Sequence, residues 1–275
     1  MQINGSTQIY GIMGKPVSHS LSPAMHNAAF AALALNKVYV AFEVADVANA
    51  MAGFRALGVK GASVTIPHKQ AVIPYLNAID PVAEKIGAVN TLLIEGDSIK
   101  GLNTDWLGAN RALEEKIGLR GTKVLLLGAG GSARAIGFGL LEAGASLAIS
   151  SRTPAKGQEL AASLGCNWHP LSEAPEIPAD ILVNATSVGM SPRQDETPLP
   201  GDALTKFQVV MDIVYSPLET RLLREATAAG CTVINGLAML LYQGVAQFEL
   251  WTGQPAPVDT MRQILASSLA TKKNQ

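Results

Sequence analysis

Cysteine is scarce in this chain, with only Cys166 and Cys231 among 275 residues. Neither lies in a C-x-x-C string or beside a histidine, which argues against a disulfide framework and a thiolate metal site. The four histidines, His19, His26, His68 and His169, show no H-E-x-x-H or H-x-H spacing, so no metal is expected. Charge is sparse too, at 16% of residues with a net value of −1, and no stretch clusters Lys and Arg between aromatics. The electrostatic footprint of nucleic-acid binding is therefore missing. No window reaches the ~18 consecutive apolar residues of a membrane span. The start, Met1-Gln2-Ile3-Asn4-Gly5-Ser6, has neither the cationic lead nor the apolar run of a signal peptide. These absences predict a cytoplasmic protein with a small-molecule partner, no nucleic acid and no membrane; whether it is a monomer or homodimer the sequence leaves open.

What is present is a 48% hydrophobic composition rich in Ala, Leu, Gly and Val, the balance of a globular α/β protein. The length favours two domains of ordinary size over one large one. Strands are predicted at Thr7–Met13, Val38–Val44 and Gly61–Ile66, with helices at Ala24–Leu35 and Val47–Leu57 between them. Ser22-Pro23 reads as a cap and first turn for the first helix. This is βαβ material and predicts a mainly parallel sheet. A helix-like Pro81–Ile86, short strands around Ala88–Ile94 and Ser98–Leu102, and a helix from Thr104 or Asp105 towards Ile117 follow. The next strands are expected at Val124–Leu127, Ser146–Ser150, Ile181–Asn184 and Val209–Ile213, with helices at Ser132–Ala143, Ala155–Leu164 and Leu218–Ala229. Two last helices, Gly236–Trp251 and Val258–Leu269, have no strand of their own and are expected to pack on the first domain.

Val124-Leu125-Leu126-Leu127 opens directly into Gly128-Ala129-Gly130-Gly131-Ser132-Ala133 and a helix, the context a pyrophosphate site demands. Glycines let the backbone turn tightly and approach phosphates, and unpaired N–H groups at a helix start favour negative charge. The end of the following strand selects the cofactor. A carboxylate there suits the ribose hydroxyls of NAD, whereas basic and hydroxyl groups suit a 2′-phosphate. The segment Ser150-Ser151-Arg152-Thr153-Pro154-Ala155-Lys156 contains no acid. Arg152 can pair with a phosphate bidentately, and Ser151, Thr153 and Lys156 can add donors, which favours NADP. A basic solvated loop is the plainer alternative.

Outside this fold, four strings place hydroxyl, amide or charged residues at strand ends or loops: Gly14-Lys15-Pro16-Val17-Ser18-His19-Ser20-Leu21-Ser22-Pro23, Gly61-Ala62-Ser63-Val64-Thr65-Ile66-Pro67-His68-Lys69, Gly87-Ala88-Val89-Asn90-Thr91 and Asn103-Thr104-Asp105. They closely resemble the shikimate dehydrogenase family. The resemblance runs in order along nearly the whole chain, through Asn184-Ala185-Thr186-Ser187-Val188-Gly189-Met190, Asp212-Ile213-Val214-Tyr215-Ser216-Pro217 and Asn235-Gly236-Leu237-Ala238-Met239-Leu240-Leu241-Tyr242-Gln243. It implies that Ser20 and Ser22 bind the substrate carboxylate and that Lys69 and Asp105 are catalytic. It further implies substrate contacts from Thr65, Asn90, Tyr215 and Gln243, and cofactor contacts from Thr186 and Gly236 in addition to the glycine turn. The chain departs from the family at Ser151 and Ser63, where Asn is frequent.

The chemistry fits these assignments. Reducing a ring ketone by hydride transfer leaves alkoxide charge on oxygen, which Lys69 can stabilise by donating a proton or hydrogen bond. Asp105 would hold that ammonium and accept from a substrate hydroxyl. Taken singly, Lys69 is also a surface lysine, Asp105 a helix N-cap, and Ser20 and Ser22 turn or cap residues. His19 and His68 are expected to make structural hydrogen bonds.

The expectation is thus a two-domain α/β protein. Residues 1–103 with 237–275 form a mainly parallel substrate domain, and residues 104–236 a Rossmann-like NADP-binding domain whose closure brings nicotinamide to the ring carbon. The implied reaction is reversible reduction of 3-dehydroshikimate to shikimate in aromatic amino-acid biosynthesis. Three rivals remain. A quinate/shikimate dehydrogenase using NAD is disfavoured by the acid-free segment. A silent, metabolite-sensing relative need not keep Lys69 and Asp105. A methylenetetrahydrofolate dehydrogenase has no use for the H-S-x-S-P string.

Overall fold

A computed structural model describes residues 3–272, and the chain divides into two compact units. The first comprises residues up to Thr104 together with those from Gln243 onward, and the second runs from Asp105 to Tyr242.

The first unit contains strands β1 (Gln8–Gly14), β2 (Lys37–Glu43), β3 (Gly61–Val64), β4 (Ala78–Ile79), β5 (Thr91–Glu95) and β6 (Ser98–Leu102). Helices α1 (Ser22–Ala32), α2 (Val47–Ala56) and α3 (Pro81–Ile86) connect them. The sheet order is β2-β1-β3-β5-β6-β4, with β1 parallel to both β2 and β3, and β4 parallel to β6. β5 and β6 are antiparallel to each other because the short link between them, Gly96-Asp97, leaves no room for a crossover, and β5 is also antiparallel to β3. Local chemistry marks the boundaries. Asp46 caps α2 by accepting from the Asn49 N–H at 3.0 Å, Asp80 caps α3, and Gly87 ends α3 at φ 68°. Ser22 was expected as the cap of α1 but is its first residue. The cap position falls on Leu21, while the Ser20 hydroxyl accepts from the Ser22 N–H at 3.2 Å and so takes over one orphan donor.

The second unit opens with α4 (Asp105–Glu114) and contains β7 (Lys123–Leu127), α5 (Gly131–Glu142), β8 (Ser146–Ser151), α6 (Pro154–Leu164), β9 (Asn167–Pro170), β10 (Ile181–Asn184), β11 (Val209–Asp212), α7 (Arg221–Ala228) and β12 (Thr232–Ile234). All pairings are parallel, in the order β12-β11-β10-β7-β8-β9. Val124 to Leu127 are buried on both faces, which only the centre of a helix-covered parallel sheet accommodates. The chain ends in α8 (Gly236–Thr252), which runs across the boundary between units, and α9 (Val258–Lys272), which packs on α1.

Each unit has its own core. Met13, Met51, Val64, Leu92 and Ile99 anchor one, and Leu125, Leu182, Val210 and Leu222 the other. An aromatic group of Tyr10, His26, Phe30, Tyr39, Phe248 and Trp251 fills the first unit between α1, the sheet and α8. No described helix is long and apolar enough to cross a membrane.

Candidate functional site

In the first unit one sheet edge collects the chemistry-bearing strings. Strands β1 and β3 both end there, β5 begins there, and β6 returns there. Main-chain bonds hold the four ends in register. The Thr65 N–H donates to Met13 O at 2.9 Å, Lys15 N–H to Ile66 O at 3.1 Å, Val64 N–H to Asn90 O at 2.7 Å, and Asn90 N–H to Leu102 O at 3.1 Å. Gly14 is required by close approach, because a Cβ there would lie 2.4 Å from Thr65 Cγ2. Thr65 and Lys69 are half-buried, with the Lys69 carbonyl accepting from the Val89 N–H at 2.8 Å. His68 is buried and its Nε2 bonds Val44 O at 2.9 Å, a structural contact.

Asn90 is buried and orientated from several sides. Its Oδ1 accepts from Thr104 N–H at 2.8 Å and from the Thr91 hydroxyl at 2.7 Å, while its Nδ2 donates to Thr104 Oγ1 at 3.0 Å. Two more candidates belong to this unit: Ser20 is half-buried at the entry to α1, and Gln243 is buried on α8. Sequence reasoning missed Gln247, one helical turn after Gln243. It is fully buried and bonded to Ser63, Asn90 and Thr91. The signal was there: two glutamines at i and i+4 on a mostly apolar helix share a face.

In the second unit, β7 is the first strand of the sheet and lies beside β10, where the direction of strand addition reverses. Such a switch point leaves a crevice at the strand ends. Gly128 stands at this point with φ +116°, and a Cβ on it would lie 2.8 Å from Ala185 O, so only glycine fits. Gly130 caps α5 with open space above its Cα, and Gly131 begins the helix. Ala129 and Ser132 are half-buried, while Ala133 is buried in the first turn. This is an anion-ready start to a helix of twelve residues.

At the end of β8, Arg152, Thr153 and Lys156 are exposed. Ser151, expected as a phosphate donor, is turned inward. Its hydroxyl donates to Thr153 O at 3.1 Å and accepts from Trp168 Nε1 at 3.0 Å, so it shapes the loop that presents its neighbours. The loops after β10 and β11 share a second network that sequence reasoning did not single out. Asn184 donates to Asp212 Oδ1 at 3.0 Å and accepts from the Thr186 hydroxyl at 2.7 Å. Asp212 also accepts from Val214 N–H at 3.0 Å and from the Thr220 hydroxyl at 2.7 Å. Burial outweighs these donors and pushes its carboxyl up to about 6. Gly236 is again a close approach, since a Cβ would lie 2.3 Å from Ile213 O. Tyr215 is half-buried after β11, and burial raises its phenol. Asp105 is buried in the first turn of α4, where a carboxylate suits the helix dipole.

A six-stranded parallel sheet whose central strand opens into a glycine turn and helix defines a dinucleotide-binding protein of the Rossmann class, here joined to a second α/β unit. The family model described as shikimate dehydrogenase substrate binding domain matches residues 12–92, and that described as shikimate 5'-dehydrogenase C-terminal domain matches residues 236–266. The chain is 50% identical to "Shikimate dehydrogenase (NADP(+))" of Moorella thermoacetica, over 98% of this chain and 96% of that one. A crystal structure of a shikimate dehydrogenase in complex with NADP+ superposes with a TM-score of 0.90 at 40% identity, covering 98% of both chains. The Thermus thermophilus enzyme in complex with NADP(H) and shikimate gives 0.88 at 39% identity, covering 95% of this chain and 100% of that one. The chain belongs to the shikimate dehydrogenase family.

Proposed function

We propose that this chain catalyses the reversible NADP-linked reduction of 3-dehydroshikimate to shikimate, a step of aromatic amino-acid biosynthesis. The observation that carries the reading is the single sheet edge in the first unit, where the Gly14, Thr65–Lys69, Asn90 and Thr104 strings meet. Four strings far apart in sequence converge on one polar edge above an apolar core, an arrangement suited to a small polyol acid. The first unit binds this substrate and the second binds the dinucleotide. Names borne by relatives of high identity and near-complete coverage support the same reading.

The residues divide the work by chemistry. Ser20 and Ser22 offer compact hydroxyl donors to a carboxylate, and Thr65, Asn90, Tyr215 and Gln243 match the ring hydroxyls. Lys69 donates to the oxygen that gains charge, and Asp105 supplies a carboxylate that accepts from a hydroxyl. NADP, when bound, supplies or takes the hydride. The second unit fits that group: Gly128 and Gly130 leave the backbone open at the α5 start, and Arg152 and Lys156 stand exposed with no carboxylate between them. Gly131, Ser132, Thr186 and Gly236 complete the cofactor surface, and Ser151 holds the loop.

Absorbance at the nicotinamide band tests this, with shikimate or quinate each paired with NADP+ or NAD+. Shikimate with NADP+ is expected to turn over fastest. Quinate with NAD+ as the best pair would replace the assignment by its nearest rival, and no turnover in any pair would remove the enzyme reading.

A further inference from the structure

Gln247 has no part in the proposed chemistry, yet its amide is bonded on both its nitrogen and its oxygen beneath the substrate edge. It is 0% exposed, and its Oε1 accepts from the Ser63 hydroxyl at 2.7 Å. Its Nε2 donates to Asn90 O at 3.1 Å and to Thr91 Oγ1 at 2.9 Å. A primary amide has two N–H donors and a carbonyl with two lone pairs, so both hydrogens are placed and the oxygen is engaged by Ser63 and lies beside His26. The Asn90 carbonyl can only accept, which sets the amide's orientation with nitrogen towards β5 and oxygen towards β3.

That orientation propagates in one direction. The Tyr39 hydroxyl donates to Ser63 Oγ at 2.6 Å, so Ser63 must turn its own hydrogen to Gln247. Gln247 donates into Thr91 Oγ1, so the Thr91 hydrogen must go elsewhere, and it meets Asn90 Oδ1 at 2.7 Å. The series Tyr39, Ser63, Gln247, Thr91, Asn90 therefore consists of donors all pointing the same way. Tyr39 is buried and stacked on His26, with ring centroids 4.5 Å apart and planes 17° apart. The ring is thus held in place, with its hydroxyl between Ser63 and Ser22.

We propose that Gln247 is a positioning residue for Asn90: through its main-chain carbonyl and through Thr91, it fixes which face of the Asn90 amide meets the substrate hydroxyls. This rests on the assignment of the sheet edge to shikimate binding. Gln247 touches neither substrate nor cofactor in this scheme and acts only through Asn90. The relay also gives Ser63 a role, since its short hydroxyl leaves space for the long amide from α8 and supplies the donor that Gln247 Oε1 requires.

The test is steady-state kinetics of Gln247→Met, which keeps length and apolar volume but removes every polar bond. Leaving buried partners unsatisfied is expected to raise KM for shikimate about tenfold. KM for NADP+ should stay within about twofold, since the cofactor is read by the other unit. In an Asn90→Ala background the same substitution should raise shikimate KM by less than about threefold, because the group it positions is gone. An unchanged shikimate KM in active Gln247→Met, a parallel rise for NADP+, or a full tenfold effect without the Asn90 side chain would each overturn the inference. An inactive wild type would instead remove the function on which it rests. Should Gln247→Met not fold, Gln247→Glu serves. Its protonated form can donate one hydrogen and its ionised form none, so its shikimate KM relative to wild type should rise with pH. A flat ratio would count against the inference.

Discussion

His26 provides a pH test of the first unit that is independent of activity. Its ring is fully buried, stacked on Tyr39 and 5.3 Å from Trp251, with the Gln247 amide as the polar group beside it. Burial disfavours the charged imidazolium and lowers its pKa from 6.5 to about 3. A pKa depressed in the folded state means that the unfolded chain takes up the proton first. The associated stability is therefore present above pH 6.5 and lost as pH falls below it. At pH 5 the unfolded imidazole is about 97% protonated and the folded one neutral, which favours unfolding by about 2 kcal/mol. The figure depends on the unfolded value, since any folded pKa below about 4 leaves the buried ring neutral at pH 5. Replacing Trp106 and Trp168 by Phe leaves Trp251 as the one tryptophan reporter, and urea melts at pH 8 and pH 5 then read this unit. The background protein should lose about 2 kcal/mol more between the two pH values than its His26→Leu derivative, which lacks the titrating group. An equal loss in both, or a His26 ring-proton titration midpoint above about 5 by NMR, would refute the reasoning.

Asp212 should act with the opposite sign in the second unit. Its carboxyl is raised from 3.8 to about 6, so this stability is present below pH 3.8 and lost as pH rises through 6. The loss is about 2–3 kcal/mol between pH 4 and pH 8, and Asp212→Asn should flatten that limb in denaturant melts. Arg152→Ala should raise KM for NADP+ tenfold or more in order of magnitude while leaving KM for NAD+ nearly unchanged, because only the former carries the 2′-phosphate. Gly157→Ala would place a Cβ 2.1 Å from Trp168 Nε1 and 2.2 Å from Ser151 Oγ. It should cost about 1–3 kcal/mol in melts and weaken NADP+ binding by distorting the Arg152 loop. Lys69→Ala should lose nearly all turnover yet still bind shikimate by calorimetry, and wild-type turnover would remove Lys69 from the chemistry.

Much of this molecule was legible from residues alone, for identifiable reasons. Val124–Leu127 running into Gly128-Ala129-Gly130-Gly131 could be read because a doubly buried strand and a positive-φ glycine each demand particular residue types. The acid-free Arg152–Lys156 segment and the ordered strings ending at Lys69, Asn90 and Asp105 were likewise visible, since their chemistry lies in side-chain identity. Short elements were not. Strands Ala78–Ile79, Asn167–Pro170 and Thr232–Ile234 carry too few residues to display a period, and they exist because a neighbouring strand offers its edge. Hydrogen-bond direction was equally hidden. Ser151 read as a phosphate donor, but Trp168, seventeen residues away, occupies its hydroxyl, and Gln247 drew no reading at all, since only the fold brings Ser63, Asn90 and Thr91 around it. Sequence alone determined which chemical groups are available and the class of fold that carries them. Only the tertiary structure decided which hydroxyls and amides are engaged within the protein, because that depends on partners brought together from distant parts of the chain.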